Sequence, residues 1–249
     1  MEDKIFGRNP VLEAIRSGRE IDKIFVKKGN VEGSLIPLIR KAKERGIIIS
    51  EIDRHKLDQM ADGANHQGVI AIAATHEYMP LAELLDRAKT PPFLVICDKI
   101  TDPHNLGSIL RTANCVGADG VIIPKRNSVG LNSVVAKTSA GAIEYTPVAH
   151  VTNIAQTIDQ LKERGYWIAG ADMDGEEMYK SNLTGAIALV IGSEGEGISR
   201  LVREKCDFLV KIPMSGDINS LNASAAAAVL MYEIKRQRIF ADSSFAGEK

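Results

Sequence analysis

Apolar positions in the first 75 residues recur at helical and at strand-like spacing in quick alternation, the pattern of a small α/β domain. Asn9 with Pro10 caps a short helix that ends near Gly18, residues 21–26 read as a strand, and residues 34–45 form an amphipathic helix stopped by Gly46. The strand-like IIISEI follows, then a short helix around Leu57, then the apolar GVIAIAA. From His76 to Pro92 the pattern turns polar, with Pro80, Pro91 and Pro92 around one helical segment, PLAELLDRAK. Beyond it FLVIC, GVIIP, YWIAGA and IALVIG are short apolar runs of the kind buried in parallel sheets, separated by helical stretches at 106–116 and 153–164. A strand-like DFLVKIP, a polar loop and a long helix at about 221–240 end the pattern. The expected organisation is an α/β domain over 1–75, a linker over 76–90, and a larger α/β domain with a mostly parallel sheet over 91–249.

Composition changes this picture little: 249 residues at 45% hydrophobic content can bury a core without disulfides or metals. No apolar run approaches the roughly 20 residues of a membrane span, and MEDKIFGRNP lacks the apolar stretch of a signal peptide, so the cytosol is the expected compartment. Cys97, Cys115 and Cys206 are odd in number and widely spaced, and read as reduced core thiols. The five histidines lack metal-ligand spacing, and any chemistry is expected to be metal-independent. A net charge of -1 gives no global attraction for nucleic acid, so any such contact would have to use local patches. Lys125, Arg126 and Lys137 form one, in a stretch with no Asp or Glu between Asp119 and Glu144; a solvated loop face is the plain alternative. Lys27, Lys28, Lys41 and Lys43 are similar candidates nearer the start, and His66 in ANHQGV reads as a strand-edge histidine bonded to a carbonyl or as an RNA contact.

Three loops carry candidate chemistry, each following an apolar strand, where ligands collect in open α/β sheets. DKITDPHNLGSILRTA contains Asn105, either a helix cap or a site group, and Arg111 six residues on, either a solvated side chain or a site cation. GSEGEGIS has glycines at 192, 195 and 197 that let a ligand approach the backbone. Its Glu194 and Glu196 would repel phosphates, so a ligand of positive character suits the loop better, while a Gly-rich turn with solvated carboxylates is the alternative. In KIPMSGDINSLNASAAAAVLMYE a strand runs through a polar turn into a helix opening with Ser220, Leu221, Asn222 and Ser224, of which Ser220 or Asn222 could equally serve only as a cap.

Together HNLGSILRTANCVGADGVIIP, LVIGSEGEGIS and IPMSGDINSLNASAAAAVLMYE resemble, in order and spacing, the three signature motifs of the SpoU (TrmH) family of RNA 2'-O-ribose methyltransferases, within the SPOUT fold. The first domain resembles the ribosomal-protein-like (L30e-like) substrate-binding domain of that family, and the layout most resembles the bacterial group that methylates a guanosine ribose in the peptidyl-transferase loop of 23S rRNA. The resemblance implies an α/β domain threaded into a deep trefoil knot, an exception to the rule that chains avoid knots. It implies S-adenosyl-L-methionine as cofactor, with a sulfonium and an ammonium against one carboxylate, held by main-chain groups near Gly192, Ile212 and Leu221 and by Ser193, Gly195, Pro213, Ser220 and Ala223. It also implies a homodimer through the knotted domain.

Catalysis would rest on Arg111, with Asn105, Glu194 and Asn222 ordering it and the ribose, and Ser220 and Ser224 as further candidates. Deprotonating a guanidinium at neutral pH costs roughly 8 kcal/mol, so Arg111 is expected to grip the target phosphate and stabilise charge at O2' rather than act as a base. Three other readings stay open: methylation of tRNA, a noncatalytic RNA-binding or ribosome-assembly protein, and a nucleotide-binding enzyme using GSEGEG for phosphates. The last expects a GK[ST] or GxGxxG pattern that the chain lacks.

Overall fold

The computed structural model describes residues 3–29, 33–217 and 220–241, which fall into two compact units. The first comprises residues up to Glu77 together with Gly130–Val134. Its elements are β1 (Asp3–Phe6), α1 (Arg8–Arg16), β2 (Ile21–Lys27), α2 (Leu35–Glu44), β3 (Ile48–Ile52), α3 (Arg54–Ala61) and β4 (Val69–Ala73). The sheet runs β1-β4-β2-β3, with β4 antiparallel to both neighbours and β2 parallel to β3. Helices α1 and α2 bury Val11, Ile15, Leu38 and Ala42 on one face, against Ile24, Val26, Val69 and Ala71. The short α3 sets Leu57 and Ala61 on the other face against Ile70 and Ile72. Strand β1 is absent from the periodicity reading, since four residues are too few to show a period. Helix α1 starts one residue before Asn9, with Gly7 at φ 92° as its cap in place of the expected Asn9.

The second unit holds Tyr78–Val129 and Val135 onward. It contains α4 (Leu81–Arg87), β5 (Phe93–Cys97), α5 (Pro103–Val116), β6 (Gly120–Pro124), α6 (Ser133–Thr138), a 3-10 turn (Ala142–Glu144), β7 (Val148–Val151), α7 (Ile154–Glu163), β8 (Trp167–Glu177), β9 (Ile187–Ile191), α8 (Arg200–Lys205), β10 (Phe208–Lys211) and α9 (Ala223–Ala241). Its six strands are all parallel, in the order β10-β8-β9-β5-β6-β7. Central β5 and β9 are buried along their whole length, as their unbroken apolar runs demand.

Two boundaries differ from the sequence reading. The stretch expected to be a linker is largely part of the second unit, because Leu84 on α4 is 1% exposed within that unit's core. Conversely, residues 130–134 fold with the first unit: Thr75 donates through its backbone N–H (2.8 Å) and its hydroxyl (2.6 Å) to the Leu131 carbonyl. Neither effect leaves a trace in local periodicity, since both depend on contacts distant in sequence.

Candidate active site

The carboxyl ends of β5, β9 and β10 lead into the three motif loops, and neighbouring β5 and β9 bring the first two together. Asp102, not Asn105, caps α5, its carboxylate accepting the His104 N–H at 2.8 Å. Asn105 instead lies inside the helix, 6% exposed, so its amide must find partners within the protein. It finds them in the other two motifs. Asn105 Nδ2 donates to Glu194 Oε1 at 2.9 Å, and Asn222 Nδ2 donates to Asn105 Oδ1 at 2.9 Å and to the same Glu194 oxygen at 2.5 Å. Asn222 Oδ1 accepts from the backbone N–H groups of Ser224 (3.0 Å) and Ala225 (3.2 Å) and from the Ser224 hydroxyl (2.7 Å), so one side chain caps α9 and closes the triangle.

The Gly-rich loop is pinned beneath this triangle. Ser193 and Gly197 exchange backbone hydrogen bonds, and a Cβ on Gly192 would lie 2.1 Å from the Gly197 carbonyl carbon, so only glycine fits there. Gly195 and Gly197 adopt φ of 83° and 65°, and a Cβ on either would meet nothing within 4 Å, which leaves that side of the loop open. Two groups that sequence reasoning missed hold the loop to β5. Buried Asp98 accepts the Ser199 N–H at 2.7 Å, and Lys99 Nζ lies 3.5 Å from Glu196, a surface ion pair in which the Glu196 carboxylate stays largely solvated. The hint in sequence was an Asp-Lys pair directly after an apolar strand, a pattern too common to single out.

In the third loop the backbone groups of residues 212–217 make no hydrogen bond among the described residues, and Ile218 and Asn219 lie outside them. Ser220 and Leu221 are exposed, whereas Ala223 is buried at the start of α9. Arg111 lies on the exposed side of α5, with no hydrogen bond or ion pair among the described residues. Six helical residues turn it about 120° away from Asn105, and no bond joins it to the triangle.

Lys125, Arg126 and Lys137 follow β6 or sit on α6, the first half-buried and the other two exposed. The charge on Lys125 adds to burial in pushing His150 down to about 4. In the first unit, His66 is buried and bonded to the Asp58 carboxylate (2.8 Å) rather than to a carbonyl, and its Nδ1 accepts the Gly68 N–H at 3.0 Å. Of the thiols expected in the core, Cys97 is buried and Cys206 half-buried, both pushed up to about 12 chiefly by burial, but Cys115 is exposed. Among the described residues no group of three or more His, Cys, Asp or Glu is placed to hold a metal, and no helix is long and apolar enough to cross a membrane.

A parallel α/β domain whose three strand-end loops meet in one polar cluster, preceded by a smaller α/β unit, defines a two-domain α/β protein with a candidate ligand site at the carboxyl ends of its strands. The chain belongs to the SpoU rRNA methylase family: that family's model matches residues 92–232, and a model for the substrate-binding domain of RNA 2'-O ribose methyltransferases matches residues 4–79. It is 50% identical over 241 residues to YacO of Bacillus subtilis (strain 168), which carries the name of a TrmH family tRNA/rRNA methyltransferase, covering 95% of this chain and 96% of that one. A protein of the same family name from Staphylococcus haemolyticus (strain JCSC1435) is 51% identical over 243 residues, covering 96% and 97%. In fold it is similar to the SpoU methyltransferase AviRb from Streptomyces viridochromogenes, crystallised with AdoMet (TM-score 0.62, 24% identity, 96% of this chain and 91% of that one).

Proposed function

We propose that this protein transfers the methyl group of S-adenosyl-L-methionine to a ribose 2'-oxygen of RNA, with a guanosine in the peptidyl-transferase loop of 23S rRNA as the target. The observation that supports the reading most is the Asn105-Glu194-Asn222 triangle, which draws one side chain from each of the three motifs into a single hydrogen-bonded unit. The donor set suits the cofactor: Gly195 and Gly197 leave space beside a loop carrying two carboxylates, which favours a sulfonium over a phosphate, and the backbone of 212–217 has polar groups to offer an adenine edge. Main-chain groups near Gly192, Ile212 and Leu221 would hold it, together with Ser193, Gly195, Pro213, Ser220 and Ala223. When bound it supplies an electrophilic methyl group.

The chain's own residues then have two tasks, to place O2' in line with that methyl and to favour charge on it. Arg111 grips the phosphate beside the target ribose and stabilises the developing oxyanion, keeping its own proton, while Asn105, Glu194 and Asn222 keep the pocket wall rigid. Lys125, Arg126 and Lys137 form a rim for further phosphates, and residues 1–75 select the RNA. A homodimer through the second domain suits the apolar side chains that α9 leaves exposed, Val229, Tyr232 and Phe240, which lie along one helical stripe. The cytosol, where RNA and cofactor meet, is the expected location.

The test is methyl transfer from labelled S-adenosyl-L-methionine to RNA from cells lacking the protein, with mapping of ribose methylation. A new 2'-O-methylguanosine in 23S rRNA supports the full reading; a tRNA position keeps the chemistry and overturns the target. No transfer to free RNA or ribosomal particles favours a binding protein. Arg111→Ala should abolish transfer while leaving cofactor affinity unchanged, and lost affinity in a folded variant would move Arg111 into the cofactor site.

A further inference from the structure

The two faces of the first unit's sheet are unequally covered. Helices α1 and α2 close one face, whereas α3, only eight residues long, covers part of the other. Beside it, the half-buried Phe25, Ile52 and Met60 line a hollow of about 410 Å³, with Lys56 and Gln59 at its edge. That volume lies in the range of small-ligand pockets, about 300–1,000 Å³. The Lys23 ammonium sits 5.0 Å from the Phe25 ring centroid, and neither Lys23 nor Lys56 has a carboxylate partner among the described residues. Asp58, on the same helix, is engaged elsewhere by His66 at 2.8 Å and Arg54 at 3.9 Å, and the His66 bond holds its carboxyl below the usual range. Lys4 donates to the Met60 carbonyl at 3.3 Å, adding a third cation near that end of α3.

An apolar and aromatic floor, two ammonium groups without a carboxylate partner and one amide that both donates and accepts are what a single nucleotide requires: a surface for its base, cations for its phosphates and a group for the base edge. We infer that this hollow binds one unpaired nucleotide of the RNA substrate, its base packed on Phe25 and Met60, its flanking phosphates on Lys23 and Lys56, and Gln59 against its edge. The inference rests on the reading of the protein as an RNA methyltransferase and locates part of its substrate recognition. An apolar side chain of a protein partner would fill the same hollow but leave both ammonium groups unused.

The experiment measures binding of the full-length protein to a fluorescein-labelled ten-nucleotide oligo(A) RNA by anisotropy across a salt series, with Phe25→Leu and Lys56→Glu as variants. Each should weaken binding about tenfold, and Lys56→Glu should reduce the slope of log affinity against log salt by about 0.7. A fully paired RNA of equal length should be insensitive to Phe25→Leu, because its bases are not available. Thermal unfolding checks both folds, and if Phe25→Leu is unstable the exposed Lys56 carries the test. Wild-type affinity in both variants, or no oligo(A) binding by the wild type, overturns the inference. The methylation reading fails separately: wild-type protein with Phe25-dependent RNA binding but no methyl transfer overturns that reading and leaves the hollow an RNA site. Methyl transfer with an unchanged KM for RNA in both variants overturns the hollow alone.

Discussion

Asn222 carries two loads that different substitutions separate. Its oxygen caps α9 and its nitrogen ties Asn105 to Glu194. Asn222→Asp keeps the cap but replaces the donating amide with a second carboxylate facing Glu194, so methyl transfer should fall by at least tenfold and the unfolding temperature should drop at neutral pH, recovering as the pH falls and one carboxylate is protonated. Asn222→Ala should lose about 1 kcal/mol of stability as well. Glu194→Ala strands the buried Asn105 amide at a cost of about 1–3 kcal/mol, whereas Glu194→Gln retains an acceptor and should unfold near the wild-type temperature. Thermal unfolding and transfer assays on these four variants decide whether the triangle is a scaffold, a catalytic unit or both. The thiols offer a simpler check: at pH 8 iodoacetamide should label Cys115 rapidly and leave Cys97 unmodified, since burial keeps Cys97 in its unreactive form. That the three asparagine and glutamate residues belong to candidate loops was legible from their positions after strands. That Asn105 is no cap was not, because Asp102, three residues earlier, is an equally good capping residue and only the helix start decides between them.

Helix α4 shows how an element can be read correctly and placed wrongly. PLAELLDRAK is recognisable as helical, but the prolines and charges around it look like a connector, and it is Leu84, with the partly buried Leu81 and Leu85 beside it, that shows where it packs. Leu84 lies so close to Gly120 that a Cβ there would be 2.5 Å from Leu84 Cδ1, and it belongs to the core cluster with Leu94, Ile122 and Ile158. Leu84→Ala should therefore cost about 2–5 kcal/mol, read from denaturant unfolding; a loss under about 1 kcal/mol would restore the connector reading. Gly107 on α5 has a comparable constraint, with a Cβ placed 2.7 Å from the Thr138 side chain and 3.0 Å from the Val135 carbonyl oxygen, so α6 approaches α5 closely only because residue 107 is glycine. In sequence, that glycine reads merely as a weak helix former.

At the scale of the whole molecule, one acid-sensitive contribution to stability comes from His150, which lies against Tyr78 with ring centroids 4.3 Å apart. Burial, then the charge of Lys125, pushes it down to about 4, from an ordinary value of 6.5. The unfolded chain therefore binds more protons between these values, and stability should be fully present above about pH 6.5 and decline as the pH falls toward 4. His150→Phe should flatten the dependence of the unfolding temperature between pH 7 and 5; an unchanged slope would assign the acid sensitivity to other groups. The longer elements, the mostly parallel sheet and the three strand-end loops could be derived from the chain alone, because strand and helix periods and turn residues are local properties, whereas β1, β7 and α6 are too short to show a period. Tertiary structure alone decided that residues 130–134 fold with the first unit, that Asp98 pins the Gly-rich loop, that Arg111 stands apart from the triangle, and that one face of the first sheet keeps an open hollow. Each of these depends on which distant residues meet, and hydrophobic periodicity, which records only whether a position faces a core, carries no information about which core or which partner.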